Sequence, residues 1–149
     1  MGVEKYVSEI KLIEQDQTIV YNYLSNFQNF SQHLNDDLLD KLNGKIPQFK
    51  VSNFESDQDS CRFNISGIGN AEIRIVEREP VKTIKISSSE GLPIGLTMWI
   101  QLLPVSPYRT KMRVTIHAEM NAMIKMMVAP KLKSGIDQIA EVLSKLPYR

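Results

Sequence analysis

Residues 112–120 alternate without a break, Met-Arg-Val-Thr-Ile-His-Ala-Glu-Met, and run into a segment with apolar residues at helical spacing. Alternation places Met112, Val114, Ile116, Ala118 and Met120 on one side of a strand, with Lys111, Arg113, Thr115, His117 and Glu119 opposite. Further on, Leu132, Ile136, Ile139, Leu143 and Leu146 form the stripe of one long helix. A sheet with one apolar face needs a cover, and this helix supplies it. Burying five such aliphatic side chains contributes on the order of 1.5–3 kcal/mol each, before the entropy of ordering them. The pair predicts an α+β domain in which an antiparallel sheet packs on a C-terminal helix.

The remaining pattern fills in that sheet. Val3 to Ile13 reads as a first strand with imperfect alternation. Asp16 caps a helix from Gln17 to about Phe27, with Val20, Tyr21, Leu24, Phe27 and Phe30 at helical spacing. Ser31 caps a second short helix through Leu39, and Lys41 to Pro47 is a linker. From Phe49 the period switches to two. Strands are expected at Phe49–Phe54, Cys61–Ile65, Ala71–Glu79, Thr83–Ser88, Leu96–Leu103 and Thr110–Met120. The polar run 56–60, the bend at Gly67-Ile68-Gly69-Asn70, Pro80, Gly91-Leu92-Pro93, and the pair Pro104 and Pro107 mark the turns. Pro130 has no amide for the bond to residue 126, which predicts a kink or a fresh helix start at Ala129-Pro130.

Size and charge narrow the function classes. At 149 residues the chain fits one domain, 1–149. A net charge of +1 argues against a nucleic-acid partner, which calls for a dense basic face. The charge is uneven: residues 1–60 hold five Lys and ten acids, residues 61–149 thirteen Lys/Arg and seven acids. Solvated faces of different sign are the expected meaning. Cys61 is alone, so no disulfide framework or thiolate metal cage is available, and it reads as a small buried hydrophobe. No stretch reaches the length of a membrane span and the N-terminal residues lack a signal-peptide apolar core. The expectation is a cytoplasmic protein without stable membrane insertion.

Short chemical motifs dissolve on inspection. His117-Ala118-Glu119 matches half of a zinc-deaminase signature, but the Pro-Cys-x-x-Cys half is missing and both side chains face away from the helix. His33 has no second ligand placed by sequence. Gly67-Ile68-Gly69 lacks the third glycine of a dinucleotide site. Neither a metal nor a cofactor is expected, and no catalytic residue is assigned. Glu77 shares parity with Ile73 and Ile75 and could stand at a pocket rim as an acid or base, although Glu77-Arg78-Glu79 also reads as a solvated strand end. Ser88, Tyr21 and Tyr23 are candidates for an inward hydroxyl. Trp99, opposite Met98 and Ile100, belongs on the outer face.

The order strand, two helices, six strands, long helix resembles the START-like helix-grip superfamily. That group includes polyketide cyclases and dehydrases, lipid-transfer domains, and plant hormone or allergen proteins. The similar stretches are Val20-Tyr21-Asn22-Tyr23-Leu24-Ser25-Asn26-Phe27, Gly69-Asn70-Ala71-Glu72-Ile73-Arg74-Ile75-Val76-Glu77, and the final helix with Gly135 and Leu143. The resemblance covers nearly the whole chain and is closest to small bacterial members. It implies a seven-stranded curved antiparallel sheet, β-α-α-β6-α, wrapped around the C-terminal helix with a cavity between them. The superfamily has no universal catalytic signature, so none is carried over.

Six of the seven methionines lie between Met98 and Met127, and flexible thioethers suit walls that repack around apolar guests. The expected lining comprises Phe27 and Phe30 from the first helical region. The sheet contributes Phe63, Ile75, Ile86, Ser88, Leu96, Met98, Ile100, Met112, Val114 and Ile116. Met123, Met127, Leu132 and Ile136 come from the last helix. The expected function is binding or carriage of a hydrophobic or amphipathic small molecule, of lipid, quinone or polyketide type. Two alternatives stand beside it: a cyclase- or dehydrase-type enzyme using Glu77 or a tyrosine, and an interaction module with a filled core that docks around Trp99 and His117.

Overall fold

A computed structural model describes residues 2–29, 51–65, 69–88, 95–146 and 148. Among them the elements run β1 (Gly2–Val7), β2 (Lys11–Ile13), α1 (Gln17–Leu24), β3 (Val51–Ser56), β4 (Ser60–Ile65), β5 (Gly69–Glu79), β6 (Thr83–Ser88), β7 (Gly95–Ser106), β8 (Arg109–Met120) and α2 (Ala122–Ser144). The strands form one open, curved antiparallel sheet in the order β1-β8-β7-β6-β5-β4-β3, with β2 also paired to β8. The expected helix Ser31–Leu39, the linker 41–47, Phe30, His33 and the turns at 67–68 and 91–93 lie outside the described residues.

The first strand differs from the single run expected at Val3–Ile13. Val7 pairs with Thr115 and Lys11 with Met112, so the three residues between them on one strand face two on the other. This bulge breaks the strand in two and brings the count to eight rather than seven. Ser8 holds the break: its amide donates to the Val114 carbonyl at 2.8 Å and its hydroxyl accepts the Val114 amide at 2.9 Å. The Glu9 amide, freed from the ladder, donates to Asp137 Oδ1 on α2 at 2.7 Å. The imperfect alternation of this segment is the trace of the extra residue.

Both helix starts are capped by their own side chains. Asp16 Oδ1 accepts the Thr18 amide at 2.8 Å, and Asn121 Oδ1 accepts the Ile124 amide at 2.9 Å. α1 ends at Leu24, three residues short of the expected Phe27, where the Ser25 amide closes onto the Tyr21 carbonyl. α2 runs unbroken through Pro130, so the expected fresh start at Ala129-Pro130 does not occur. The carbonyl left unpaired by the missing amide belongs to Met126, an exposed residue whose backbone water can reach.

Two turns place prolines without loss of pairing. Pro104 lies inside β7, where a turn was expected. The Leu102 amide points away from β8 to the Lys82 carbonyl, and Pro104, two residues on, has the same orientation. Its missing amide falls past the end of β6, where no ladder bond exists. Between β5 and β6, Lys82 N–H donates to Glu79 O at 3.0 Å with Pro80 and Val81 at the corner, and Val81 has φ 59°. That left-handed position favours glycine. The Val81 side chain packs on the core and its carbonyl accepts from Gln17 Nε2 at 2.6 Å, which hold it there.

Candidate functional site

Cross-strand partners arrange the inner face of the sheet in rows. One row reads Val114, Ile100, Ile84 and Arg78. The next reads Tyr6, Ile116, Met98, Ile86 and Ile75. A third begins with Glu4, Ala118 and Leu96 and includes Ser88, Ile73 and Cys61. In the first row Val114 and Ile84 are 0% exposed and Ile100 1%. Such side chains touch no space that admits a water. α1 packs on β7 and β8 over this end and buries Val20 and Leu24; Phe27, just past the helix, is buried in the same core. The end is sealed.

The opposite end is different. Tyr6, Met98, Leu96, Ile73, Phe63 and Phe54 are only partly buried. The Phe54 and Phe63 rings stack with centroids 6.3 Å apart. α2 lies along β8, β2 and β1, and its N-terminal half meets this end through Ile124, Val128 and Leu132, which gather with Ala118, Met120, Tyr6 and Leu96. Its C-terminal half, through Ile136, Ile139, Ala140 and Leu143, joins the sealed core. The inner face thus grades from a close-packed first row to an end where partly exposed side chains stand among buried ones, Ala118, Met120 and Cys61.

The expected lining residues divide along this gradient. Phe63, Ser88, Leu96 and Met98 are partly buried, Ser88 and Leu96 joined by a hydrogen bond and Phe63 apart from them on β4. Ile75, Ile86, Ile116 and Leu132 are buried, and Phe27, Ile100, Met112, Val114 and Ile136 belong to the sealed core. Met123 and Met127 are corrections: they are 74% and 65% exposed. α2 turns Ile124 and Val128 inward, and the residue before each of these points to solvent. Phe30 lies outside the described residues.

The polar groups are also redistributed. Ile75 pairs with Ile86 but Glu77 with Lys85, so Val76 is an extra residue and alternation reverses past it. Glu77 is exposed, and Arg78 takes the inner-face position opposite Ile84. Arg78 Nε and Nη2 donate to the Ser25 carbonyl at the end of α1 (3.1 and 2.9 Å), and Nη2 also meets Asp59 Oδ1 at 2.7 Å. It is a clamp between α1, the β3–β4 turn and β5. That turn is itself closed by Asp57, whose carboxylate accepts the Asp59 and Ser60 amides and the Ser60 hydroxyl. These bonds hold the exposed Asp57 carboxyl below its ordinary pKa.

Tyr6 is an inner-face polar group that sequence reasoning did not single out. Its hydroxyl oxygen is buried and meets no hydrogen-bond partner among the described residues. Burial raises its pKa, the Glu4 carboxylate adds to the rise and Lys125 opposes it, so the phenol stays a donor. Glu4, on the same face, pairs with Lys125 of α2 at 2.5 Å. The signal in the sequence was the parity Glu4, Tyr6, Ser8, obscured by the bulge that follows. Ser88 Oγ accepts the Leu96 amide at 2.9 Å and so completes the strand pairing. Tyr21 and Tyr23 are buried with α1, where desolvation raises both phenol pKa values.

His117 and Trp99 are outer-face neighbours, with ring centroids 4.6 Å apart, and Lys85 Nζ lies 5.6 Å from the Trp99 ring centre. No group of three or more His, Cys, Asp or Glu among the described residues could hold a metal. No described helix is long and apolar enough to cross a membrane. Cys61 is buried, and desolvation, reinforced by the Asp57 carboxylate, pushes its thiol up to about 12.

No protein-family model and no curated protein matches the sequence. Solved structures do match its shape. The chain is similar to norcoclaurine synthase from Thalictrum flavum at TM-score 0.67 and 13% identity, over 97% of this chain and 86% of that one. A START superfamily protein from Mycobacterium smegmatis matches at TM-score 0.58 and 13% identity, over 95% and 94%. An aromatase/cyclase from a Streptomyces species matches at TM-score 0.52 and 13% identity, over 97% and 93%. The protein has the START-like helix-grip fold.

Proposed function

We propose that the protein binds a hydrophobic or amphipathic small molecule at the open end of the inner face, against the N-terminal half of α2. The observation that carries this reading is the burial gradient. One continuous apolar face is packed to 0–1% exposure at Val114, Ile84 and Ile100 but left partly exposed at Met98, Leu96, Ile73 and Phe63. Covering apolar surface is favourable by roughly 25 cal/mol per Å², so a guest seated there gains affinity from area the chain leaves uncovered. Tyr6 supplies a hydrogen-bond donor for an acceptor on the guest, a polar anchor beside apolar walls. Norcoclaurine synthase, similar in fold at 11% identity and TM-score 0.66, has been solved in complex with dopamine and hydroxybenzaldehyde, which supports small organic guests for this architecture.

The enzyme alternative loses its main residue, because Glu77 stands in solvent. Native mass spectrometry of freshly purified protein, with a thermal-shift screen of fatty acids, sterols, quinones and polyketide-like aromatics, tests the binding reading. The expected result is a retained adduct or a rise in melting temperature with at least one class. A bare mass and an unmoved transition across all four would overturn it.

A further inference from the structure

The first half of α2 has an outer face that neither the fold nor the binding of a guest explains. Met123, Met126 and Met127 are 74%, 82% and 65% exposed. At about 100° per residue they fall with Pro130 along one outward line. Lys133 flanks that line on one side and Lys131 on the other, both exposed. No acid occurs from Asn121 to Ile136; Asp137 and Glu141 follow only in the second half of the helix. Lys125 stands at the inward flank, paired to Glu4. Because Asn121 follows Met120 directly, this face borders the open end of the sheet.

From this arrangement we infer that the N-terminal half of α2 docks on an anionic lipid bilayer, lying in the interface without crossing it. Large unbranched thioethers between two lysines, with no carboxylate among them, fit the acyl–headgroup boundary. The methionines enter the apolar layer while the ammonium groups stay at the phosphates. Charge complementarity selects this occupant: the cations sit on both rims of the apolar line, as an anionic plane requires. Docking here would set the open end of the inner face against the bilayer, the phase in which an apolar guest is most concentrated. The contact does not depend on that guest, so the two readings can fail separately.

Co-sedimentation of the full chain with vesicles of phosphatidylcholine alone and of phosphatidylcholine with phosphatidylglycerol tests it. Each lysine beside an anionic surface is worth about fivefold in partitioning. Wild type is therefore expected on the anionic vesicles and not on the neutral ones, with release by high salt. The pair Lys131→Glu and Lys133→Glu is expected to lower binding at least about twentyfold. The triple change of Met123, Met126 and Met127 to Ser is expected to abolish binding, with a circular-dichroism melt at the wild-type temperature. Equal binding to both vesicle types, binding indifferent to these variants, or no binding by a wild-type protein that still captures a guest in native mass spectrometry would overturn the inference. So would a dimer in sedimentation velocity that the methionine variant dissociates, which would assign the face to a second copy.

Discussion

Arg78 reaches the inner face through the extra residue at Val76, and Tyr6 keeps its inner-face position because it lies before the extra residue at Ser8–Ile10. Strict alternation reads both segments wrongly, since one inserted residue turns every later side chain to the other face. The extra residue near Ser8 left a trace in the imperfect alternation and the one at Val76 left none; Glu77 was legible as a solvated strand-end carboxylate, whereas parity alone set it at a pocket rim. Tyr6 gives the sharpest test at this scale. Tyr6→Phe removes a buried donor that meets no partner among the described residues. It is expected to stabilise the unliganded protein by about 1 kcal/mol in urea titration and to weaken a guest that carries an acceptor. A loss of stability, or unchanged affinity for every such guest, contradicts the role assigned to it. Cys61 supplies a pH test. Its folded pKa lies above the ordinary value of 9.0, at about 12, so the thiol contributes stability that is complete below about pH 9 and lost as pH rises toward 12. The urea midpoint is expected to fall across that interval, and to fall less in Cys61→Ala.

At the scale of elements, the sequence pattern is most legible where one periodicity runs long. β8 is present as read, and α2 is one long helix without the fresh start expected at Ala129-Pro130, ending at Ser144 before Leu146; the Asp16 cap, the hairpin over the polar run 56–60 and the outer-face position of Trp99 are present as read. Pro80 ends β5 as read, but Pro104 and Pro130 were misread because a proline's effect depends on its neighbours. Pro104 costs nothing where β6 has already ended, and Pro130 sits where solvent can satisfy the orphaned Met126 carbonyl. Pro130 should still weaken α2. Pro130→Ala restores the amide to the helix and is expected to stabilise the protein by about 1–3 kcal/mol. Part of that gain is offset by the roughly 0.4–1 kcal/mol that proline contributes by restricting the unfolded chain. Chemical denaturation measures the net change, and a destabilised variant would mean that the ring makes a packing contribution larger than the lost bond.

Across the whole molecule, the helix-grip arrangement follows from three constraints: one apolar sheet face, one apolar helix stripe, and a short link at Asn121 that joins them. Those were readable. The division of the inner face was not, because periodicity reports which side a residue faces and says nothing of how closely the opposite layer approaches. Alternation sets Met98 and Met112 alike on the inner face, yet Met112 is packed in the sealed core and Met98 stands at the open end. The methionines that the sequence grouped together are thereby distributed over three environments: sealed core, open end, and the solvent face of α2. This distribution provides the direct test of the central claim. Methyl-labelled methionine NMR, titrated with a guest identified by mass spectrometry, reads each position separately. The binding site described above predicts a large shift of the Met98 methyl with Met112 unmoved; a guest that shifts Met112 as much as Met98, or leaves Met98 silent at saturation, would contradict it.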